Sequence, residues 1–169
     1  AMEGLAKLRP LFEGGVTTAG NASGINDGAV ATIVGSLAAG EKAGVKPMAR
    51  ILSSASAGVA PRIMGIGPVP ASQKALERAG LTLADMDVIE INEAFAAQVL
   101  GSADELGIPY DRLNVNGGAI ALGHPFGCTG ARIMTTLLNG LEDSDKEFGV
   151  ESMCVGGGQG MAMVVQRLN

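Results

Sequence analysis

The chain has 169 residues, and 12 lysines and arginines against 17 aspartates and glutamates give it a formal net charge of −5. An apolar fraction of 47% with 17% charged residues excludes an intrinsically disordered chain, and the length fits one domain. Acidic charge and scarce aromatics (four Phe, one Tyr, no Trp) argue against a nucleic-acid partner. No apolar run approaches the roughly 18 residues that span a bilayer, so no membrane association is expected. Two cysteines outside any CxxC pair indicate a reducing compartment, and we expect a soluble cytoplasmic protein.

The first half of the chain alternates strands with helices. In chain order its predicted elements are a buried strand over 29–34, a helix over 36–43, a strand over 49–57 and an amphipathic helix over 70–79. Small and β-branched residues favour the first strand. Gly44 and Gly80 stand where each helix would end, which is the usual place for a C-terminal glycine.

The second half continues this alternation and closes on a hairpin. Its predicted elements are a strand over 87–91, a helix over 92–106, a strand or loop over 115–122, a helix over 125–141, and strands over 151–155 and 161–167. Asn92 suits the N-cap of the first of these helices, and Pro125 suits the first position of the second. The pattern predicts an α/β domain over 1–169, with a mixed sheet of roughly five strands and helices on both faces.

His124 is the one histidine of the chain, and it stands just ahead of a predicted helix. Backbone N–H groups at a helix start favour negative charge, and an imidazole beside them suits acid–base work or an oxyanion hole. A histidine that only satisfies a local turn fits the same residues.

The two cysteines have both a chemical and a packing interpretation. Cys128 falls in the predicted first turn of the helix after His124, where the helix dipole would stabilise a thiolate. Cys154 ends an apolar strand directly before a glycine run that leaves space for a ligand. A small buried hydrophobic residue is the commoner fate of a free cysteine, and the residue type alone does not choose between the two thiols.

Two polar segments also allow a structural and a functional interpretation. Asn92 is either a helix N-cap or an amide that orients water or substrate at the carboxyl end of a strand, where open α/β sheets bind their ligands. Residues 24–28, Gly-Ile-Asn-Asp-Gly, either cradle a polar ligand or form a capped turn.

Four motifs taken in order resemble the C-terminal half of the thiolases, the acetyl-CoA C-acyltransferases. They are Thr18–Gly28, Asn92–Phe95 (Asn-Glu-Ala-Phe), Asn114–Pro125 with its Gly-His-Pro ending, and Cys154–Gly160 (Cys-Val-Gly-Gly-Gly-Gln-Gly). The resemblance extends over 12–168. It implies a thiolase-like C-terminal α/β domain that acts on CoA thioesters and needs no cofactor and no metal.

The resemblance also implies three catalytic residues. His124 would match the histidine that activates the nucleophilic thiol and contributes to an oxyanion hole. Cys154 would match the second catalytic cysteine, which moves a proton at the α-carbon of the acetyl unit. Asn92 would match the asparagine that holds a water in the oxyanion hole. Cys128 lies in a stretch where the sequences of thiolases vary, so we interpret it as a packing residue.

Four further positions would contact the substrate if the resemblance holds. Ser23, Ala94 and Phe95 would line the channel for the pantetheine arm of CoA. Gly156 would offer backbone donors near the thioester oxygen.

Thiolases have two similar halves, and the first half carries the nucleophilic cysteine. The resemblance implies that the N-terminal domain is absent here, so the chain is expected to be inactive alone, as a truncated enzyme or one subunit of a split thiolase. An apolar face would then be left exposed, and we expect a homo-oligomer or pairing with the missing half.

Two other functions remain open at this stage, a non-catalytic acyl-CoA or lipid-binding module and a structural partner for a separate N-terminal polypeptide. The sequence does not choose an acyl chain length, nor a branch among fatty-acid oxidation, aromatic degradation and acetoacetyl-CoA metabolism.

Overall fold

The computed structural model describes residues 2–168. Its helices and strands are α1 (Met2–Leu5), α2 (Leu37–Ala43), β1 (Ala49–Gly58), α3 (Pro68–Ala79), β2 (Val88–Ile91), α4 (Ala96–Leu106), α5 (Ala119–Leu122), α6 (Thr129–Asp143), β3 (Phe148–Val155) and β4 (Gln159–Arg167). Short 3₁₀ helices occupy Pro61–Ile66, Leu83–Asp85 and Tyr110–Arg112.

The four strands form one mixed sheet in the order β1-β4-β3-β2. β4 pairs antiparallel with both β1 and β3, and β2 pairs parallel with β3. The predicted α/β domain with a mixed sheet is confirmed, and the sheet has four strands rather than roughly five. Because β2 and β3 are parallel, their carboxyl ends meet at one edge, which is where Asn92 and Cys154 lie.

The missing strand is the one predicted over 29–34, and that prediction is wrong. The segment has no regular secondary structure, and the side chains of Ile33 and Val34 are 98% and 76% exposed. A β-branched sequence makes a strand only where a neighbouring strand can accept its backbone hydrogen bonds, and this segment has no such neighbour within residues 2–168.

Helices cover both faces of the sheet, as predicted. Val88 and Val165 belong to the apolar cluster under α6, while their neighbours Ile89 and Val164 belong to the cluster under α3 and α4. Adjacent residues of a strand point to opposite faces, so this division follows from the strand geometry. α6 lies close to β3, because a Cβ on Gly149 would stand 2.8 Å from a methyl carbon of Leu137.

The ends of the helices agree with the predictions from the sequence, but the starts of α4 and α6 do not. Gly44 and Gly80 end α2 and α3 in the left-handed conformation, as predicted. α4 starts at Ala96 with Phe95 at its N-cap, so Asn92 caps no helix. Asn92 instead donates its backbone N–H to Ser152 O, which continues the parallel ladder of β2 and β3.

The segment before α6 also departs from the prediction. Pro125 does not begin the helix, because residues 125–128 form a turn in which Cys128 N donates to Pro125 O. Cys128 is therefore the N-cap of α6 and not part of its first turn. Residues 115–122 contain the single helical turn α5 instead of a strand.

Candidate active site

His124 lies between α5 and α6, against the loop that contains Asn26. Its backbone N–H donates to Asn26 Oδ1 at 3.1 Å, and Ile25 forms an isolated bridge with it. Gly123 has a φ of +103°, and a Cβ there would stand 2.7 Å from Asn26 Cγ. The close approach of the two loops therefore requires glycine at this position.

Two side chains hold the imidazole ring of His124. Nδ1 lies 2.7 Å from Thr129 Oγ1, and Nε2 lies 3.3 Å from Asn92 Nδ2. The Thr129 hydroxyl donates its one proton to Pro125 O, so its oxygen accepts from Nδ1–H. The neutral ring therefore carries its proton on Nδ1, and Nε2 presents a lone pair.

The surroundings of His124 favour its neutral form. Burial lowers the pKa of the imidazole, and the positive charge of Arg132 lowers the pKa further. The ring of Phe126 stands tilted against the imidazole, with 4.6 Å between centroids. A neutral imidazole with one unprotonated ring nitrogen is the form that takes a proton from a thiol.

Asn92 is buried at the end of β2, with 1% of its surface exposed. Its Nδ2 faces His124, while its Oδ1 is shielded from solvent and hydrogen-bonds to no group within residues 2–168. Buried amide oxygens are nearly always paired in proteins. Because Asn92 Oδ1 has no partner among residues 2–168, it is an acceptor beside the imidazole that a further donor can fill. Such an acceptor can take a hydrogen bond from water or from a substrate N–H.

Asn114 and Glu93, to which we assigned no role from the sequence, fix the backbone around Asn92. Asn114 accepts from Ile91 N at 2.8 Å and donates to Ile91 O at 2.9 Å, with a positive φ that asparagine tolerates. Its Nδ2 also donates to Glu93 Oε1, and Glu93 Oε2 accepts from Ile120 N. These bonds tie the end of β2 to α5.

Cys154 is half-buried on β3, opposite Gly160 of β4. Burial raises the pKa of its thiol, and a backbone hydrogen bond lowers the pKa by less. In this structure Cys154 is therefore a protonated thiol at neutral pH, not the dipole-stabilised thiolate that base chemistry would require. Gly156 follows in the exposed hairpin turn, where its carbonyl accepts from Gln159 Nε2.

The structure brings together the three residues expected at a CoA channel. Ser23 N donates to Ala94 O at 3.0 Å, and Ala22 forms an isolated bridge with Phe95. A pocket of about 380 Å³ lies beside this junction. It is lined by Leu11, Ala19, Ala22, Ser23, Gly24, Asn26, Ile120, Ala121 and Gly123. Ser23 reaches this pocket, whereas the other two channel residues and His124 itself lie outside its lining.

No helix within residues 2–168 is long and apolar enough to cross a membrane. Over the same residues, no three histidine, cysteine, aspartate or glutamate side chains come together as a metal site.

The fold and these side chains define an α/β protein in which a histidine and a buried asparagine meet beside the carboxyl end of β2. Comparison with known families gives its class. The family model described as "Thiolase, C-terminal domain" matches residues 45–167, and "Thiolase, N-terminal domain" matches residues 1–38. The first match covers well over half of the chain, and the chain belongs to the thiolase family. The predicted membership is confirmed, while the single-domain organisation stays a prediction.

Curated relatives support the same assignment. The chain is 58% identical over 168 residues to an acetyl-CoA acetyltransferase of Escherichia coli, with 99% of this chain and 43% of the relative covered. It is 58% identical over 170 residues to a β-ketoadipyl-CoA thiolase of Pseudomonas knackmussii, with 99% and 42% covered. The chain therefore spans less than half the length of these relatives.

Solved structures agree with the fold. Human mitochondrial 3-ketoacyl-CoA thiolase superposes with a TM-score of 0.96 at 49% identity, over 100% of this chain and 43% of that one. The same human enzyme in complex with CoA gives a TM-score of 0.95 at 49% identity, over 99% and 43%.

Proposed function

We propose that the chain supplies the acid–base part of a thiolase active site. The reaction is thiolytic cleavage of a 3-ketoacyl-CoA by CoA, giving acetyl-CoA and a shortened acyl-CoA, or the reverse condensation. The observation that carries the proposal is the Thr129–His124–Asn92 chain, which fixes a neutral imidazole whose unprotonated Nε2 faces Asn92 Nδ2.

His124 is the base in this proposal. It takes a proton from the nucleophilic thiol, which then attacks the keto carbon of the substrate. The lowered pKa of His124 supports this role, because the ring is then free of its extra proton at neutral pH. Asn92 Oδ1 holds a water next to the ring, and that water donates to the developing oxyanion.

Cys154 moves the second proton. Cleavage of the bond between the α-carbon and the keto carbon leaves the enolate of acetyl-CoA, which takes a proton from a donor near its α-carbon. A thiol of raised pKa is protonated and can serve as that donor. Backbone donors at Gly156 stabilise the thioester oxygen of the same acetyl unit.

CoA binds along the junction of the Ser23 loop with Ala94 and Phe95. The backbone bond from Ser23 to Ala94 and the 47% exposure of Phe95 support an open, partly apolar surface there. A pantetheine arm, which has both apolar carbons and amide groups, fits such a surface. The human relative solved with CoA is consistent with this assignment.

We propose further that the chain lacks the covalent part of the site and is inactive alone. It forms one domain over 1–169 that pairs with the missing thiolase half or with a copy of itself. Exposed apolar side chains near the N-terminal end, including Phe12, Val16 and Ile25, support such a contact.

A chimera tests the proposed roles. In it, the chain replaces the matching segment of the Escherichia coli relative, so that the nucleophile is present. His124→Ala and Cys154→Ala should each reduce kcat for thiolysis of acetoacetyl-CoA by about a thousandfold or more. Cys128→Ala is the matched control and should stay within about threefold of the unaltered chimera. A folded, active chimera that tolerates His124→Ala would contradict the proposal.

A further inference from the structure

The carboxyl group of Glu93 joins the two segments that carry Asn92 and His124. Asn92 directly follows β2, while His124 lies two residues after the end of α5. Glu93 is half-buried between these segments. Its Oε1 accepts from Asn114 Nδ2 at 3.0 Å, and its Oε2 accepts from Ile120 N at 3.1 Å. Both partners are N–H donors, so both oxygens of the carboxyl group serve as acceptors.

α5 is a single helical turn that depends on Glu93 for the hydrogen bonding of its first residues. Its N-cap is Gly118, which has no side chain to accept from the N–H groups of the turn. Glu93 accepts from one of these groups, Ile120 N, although it belongs to a different segment. A Cβ on Gly118 would collide with the carboxyl carbon of Glu93, so the two residues pack closely. A turn this short is not stable in water without such contacts.

The position of α5 is transmitted to His124 through the backbone. Gly123 N donates to Ala119 O at 2.9 Å, so the turn is hydrogen-bonded up to the residue before His124. The imidazole Nε2 lies 3.3 Å from Asn92 Nδ2, which is longer than the usual N–H hydrogen bond. A small displacement of α5 away from β2 would therefore break this contact.

The end of β2 is held independently of α5. Asn114 accepts from Ile91 N and donates to Ile91 O, and Asn92 N donates to Ser152 O on β3. Asn92 would therefore stay with the sheet if the carboxyl group of Glu93 were removed. α5, in contrast, would lose its hydrogen bond to this segment.

We infer that Glu93 is a positioning residue for thiolysis, whose carboxyl group holds α5 against the end of β2 and thereby keeps His124 Nε2 beside Asn92 Nδ2. Glu93 acts through the backbone of α5 rather than on the substrate. The inference rests on the proposed function for its purpose, because His124 and Asn92 are the side chains assigned to proton transfer and to the oxyanion water. Its geometry stands without that function.

NMR of the isolated chain measures this arrangement without any activity. We expect a nuclear Overhauser effect (NOE) between the side-chain amide protons of Asn92 and the imidazole of His124, the single histidine. Glu93→Ala removes both acceptors and should abolish this NOE. The matched control is Asp87→Ala at the opposite end of β2, where a carboxyl oxygen also accepts from two backbone N–H groups. The control should lose comparable stability and retain the NOE.

Activity in the chimera described above gives the second readout. Glu93→Ala should lower kcat for thiolysis of acetoacetyl-CoA by about tenfold to a hundredfold with little change in KM, because the reacting groups are misplaced while substrate binding remains. Asp87→Ala should keep kcat. Glu93→Gln retains one acceptor, so its kcat and its NOE should fall between those of Glu93→Ala and the unaltered protein. If Glu93→Ala does not fold, Glu93→Gln takes its place in both measurements.

Each outcome supports or overturns the inference. Loss of the NOE and of kcat in the Glu93 variant, with both retained in Asp87→Ala, supports it. A retained NOE, an unchanged kcat or equal losses in the two variants overturns it, as does an unaltered chain without the NOE. Failure of the proposed function gives a different result, which is a chimera that tolerates His124→Ala.

Discussion

The imidazole of His124 is defined by hydrogen bonds at both ring nitrogens. Thr129 accepts from Nδ1, and this sets which nitrogen carries the proton, while Asn92 donates to Nε2. Thr129 is fully buried, so its hydroxyl does not contact solvent and makes both of its hydrogen bonds within the protein. A proton-accepting role for Nε2 therefore depends on a fully buried threonine.

Replacing Thr129 with valine tests this dependence. The substitution keeps the shape and removes the oxygen, which leaves Nδ1–H buried without a partner. We expect the free energy of unfolding to fall by about 1–3 kcal/mol, measured by urea denaturation. The ¹⁵N shifts of His124 should also show loss of the pure Nδ1–H form. Thr129→Ser keeps the hydroxyl and should retain both properties, and equal ¹⁵N shifts in Thr129→Val would contradict the hydrogen-bond assignment.

At this scale the sequence predicted His124, Asn92 and Cys154 as candidates, because their residue types and motifs are local signals. It interpreted residues 24–28 as a ligand cradle or a capped turn, and it did not predict that Asn26 there accepts from the backbone N–H of His124, 98 residues away. Contacts of this kind arise from tertiary packing, and no local pattern encodes them.

At the scale of secondary structure, the pairing of β2 with β3 makes the free energy of unfolding depend on pH. Burial raises the pKa values of Glu90 and Glu151 in the folded chain to about 8, well above those of an unfolded chain. Between the unfolded and the folded pKa values, the folded state therefore binds more protons than the unfolded state, and the free energy of unfolding falls as pH rises. We expect the free energy of unfolding to decrease as pH rises from about 4.5, the ordinary value of a glutamate, to about 8, the value in the folded chain.

Urea denaturation across that range gives the measurement. Glu90→Gln with Glu151→Gln removes both titrations and should flatten the dependence, while Glu142→Gln on the exposed surface should leave it unchanged. A stability that rises with pH in the unaltered chain would contradict the raised pKa values.

The hairpin of β3 and β4 approaches the start of α3 so closely that only glycine fits. A Cβ on Gly160 would stand 1.8 Å from the backbone oxygen of Gly67. We expect Gly160→Ala to destabilise the fold by about 2 kcal/mol or more, because backbone must move. Gly58 pairs with the same hairpin but has open space around its Cβ position, so Gly58→Ala should cost under about 1 kcal/mol. Equal thermal unfolding of the two variants would contradict the close approach.

The predictions of secondary structure were right where a rule about local sequence is enough. Gly44 and Gly80 end their helices because a left-handed residue is required there, and the last strands pair as a hairpin across a glycine turn. The strand over 29–34 failed because strands need neighbours. The N-cap at Asn92 failed because the parallel ladder with β3 extends one residue beyond the strand and holds its backbone.

For the whole molecule, exposed apolar side chains are frequent in the N-terminal part of the chain. The sheet and its helices bury their apolar residues on both faces, whereas Phe12, Ile25 and Ile33 are each more than two-thirds exposed. These residues lie in 1–38, the range that matches the thiolase N-terminal domain. Phe126, at 70% exposed, adds an apolar side chain outside this range, next to His124.

The most direct test of the central claim is to mix the folded chain with acetoacetyl-CoA and CoA. Thiolysis is followed optically, and intact mass reports any thioester on the protein, with the fold checked by circular dichroism. Our account predicts no turnover and no adduct, because the chain carries the acid–base groups without the nucleophile. Turnover accompanied by an acyl group on Cys128 or Cys154 would contradict it, and would make the chain a self-sufficient acyltransferase.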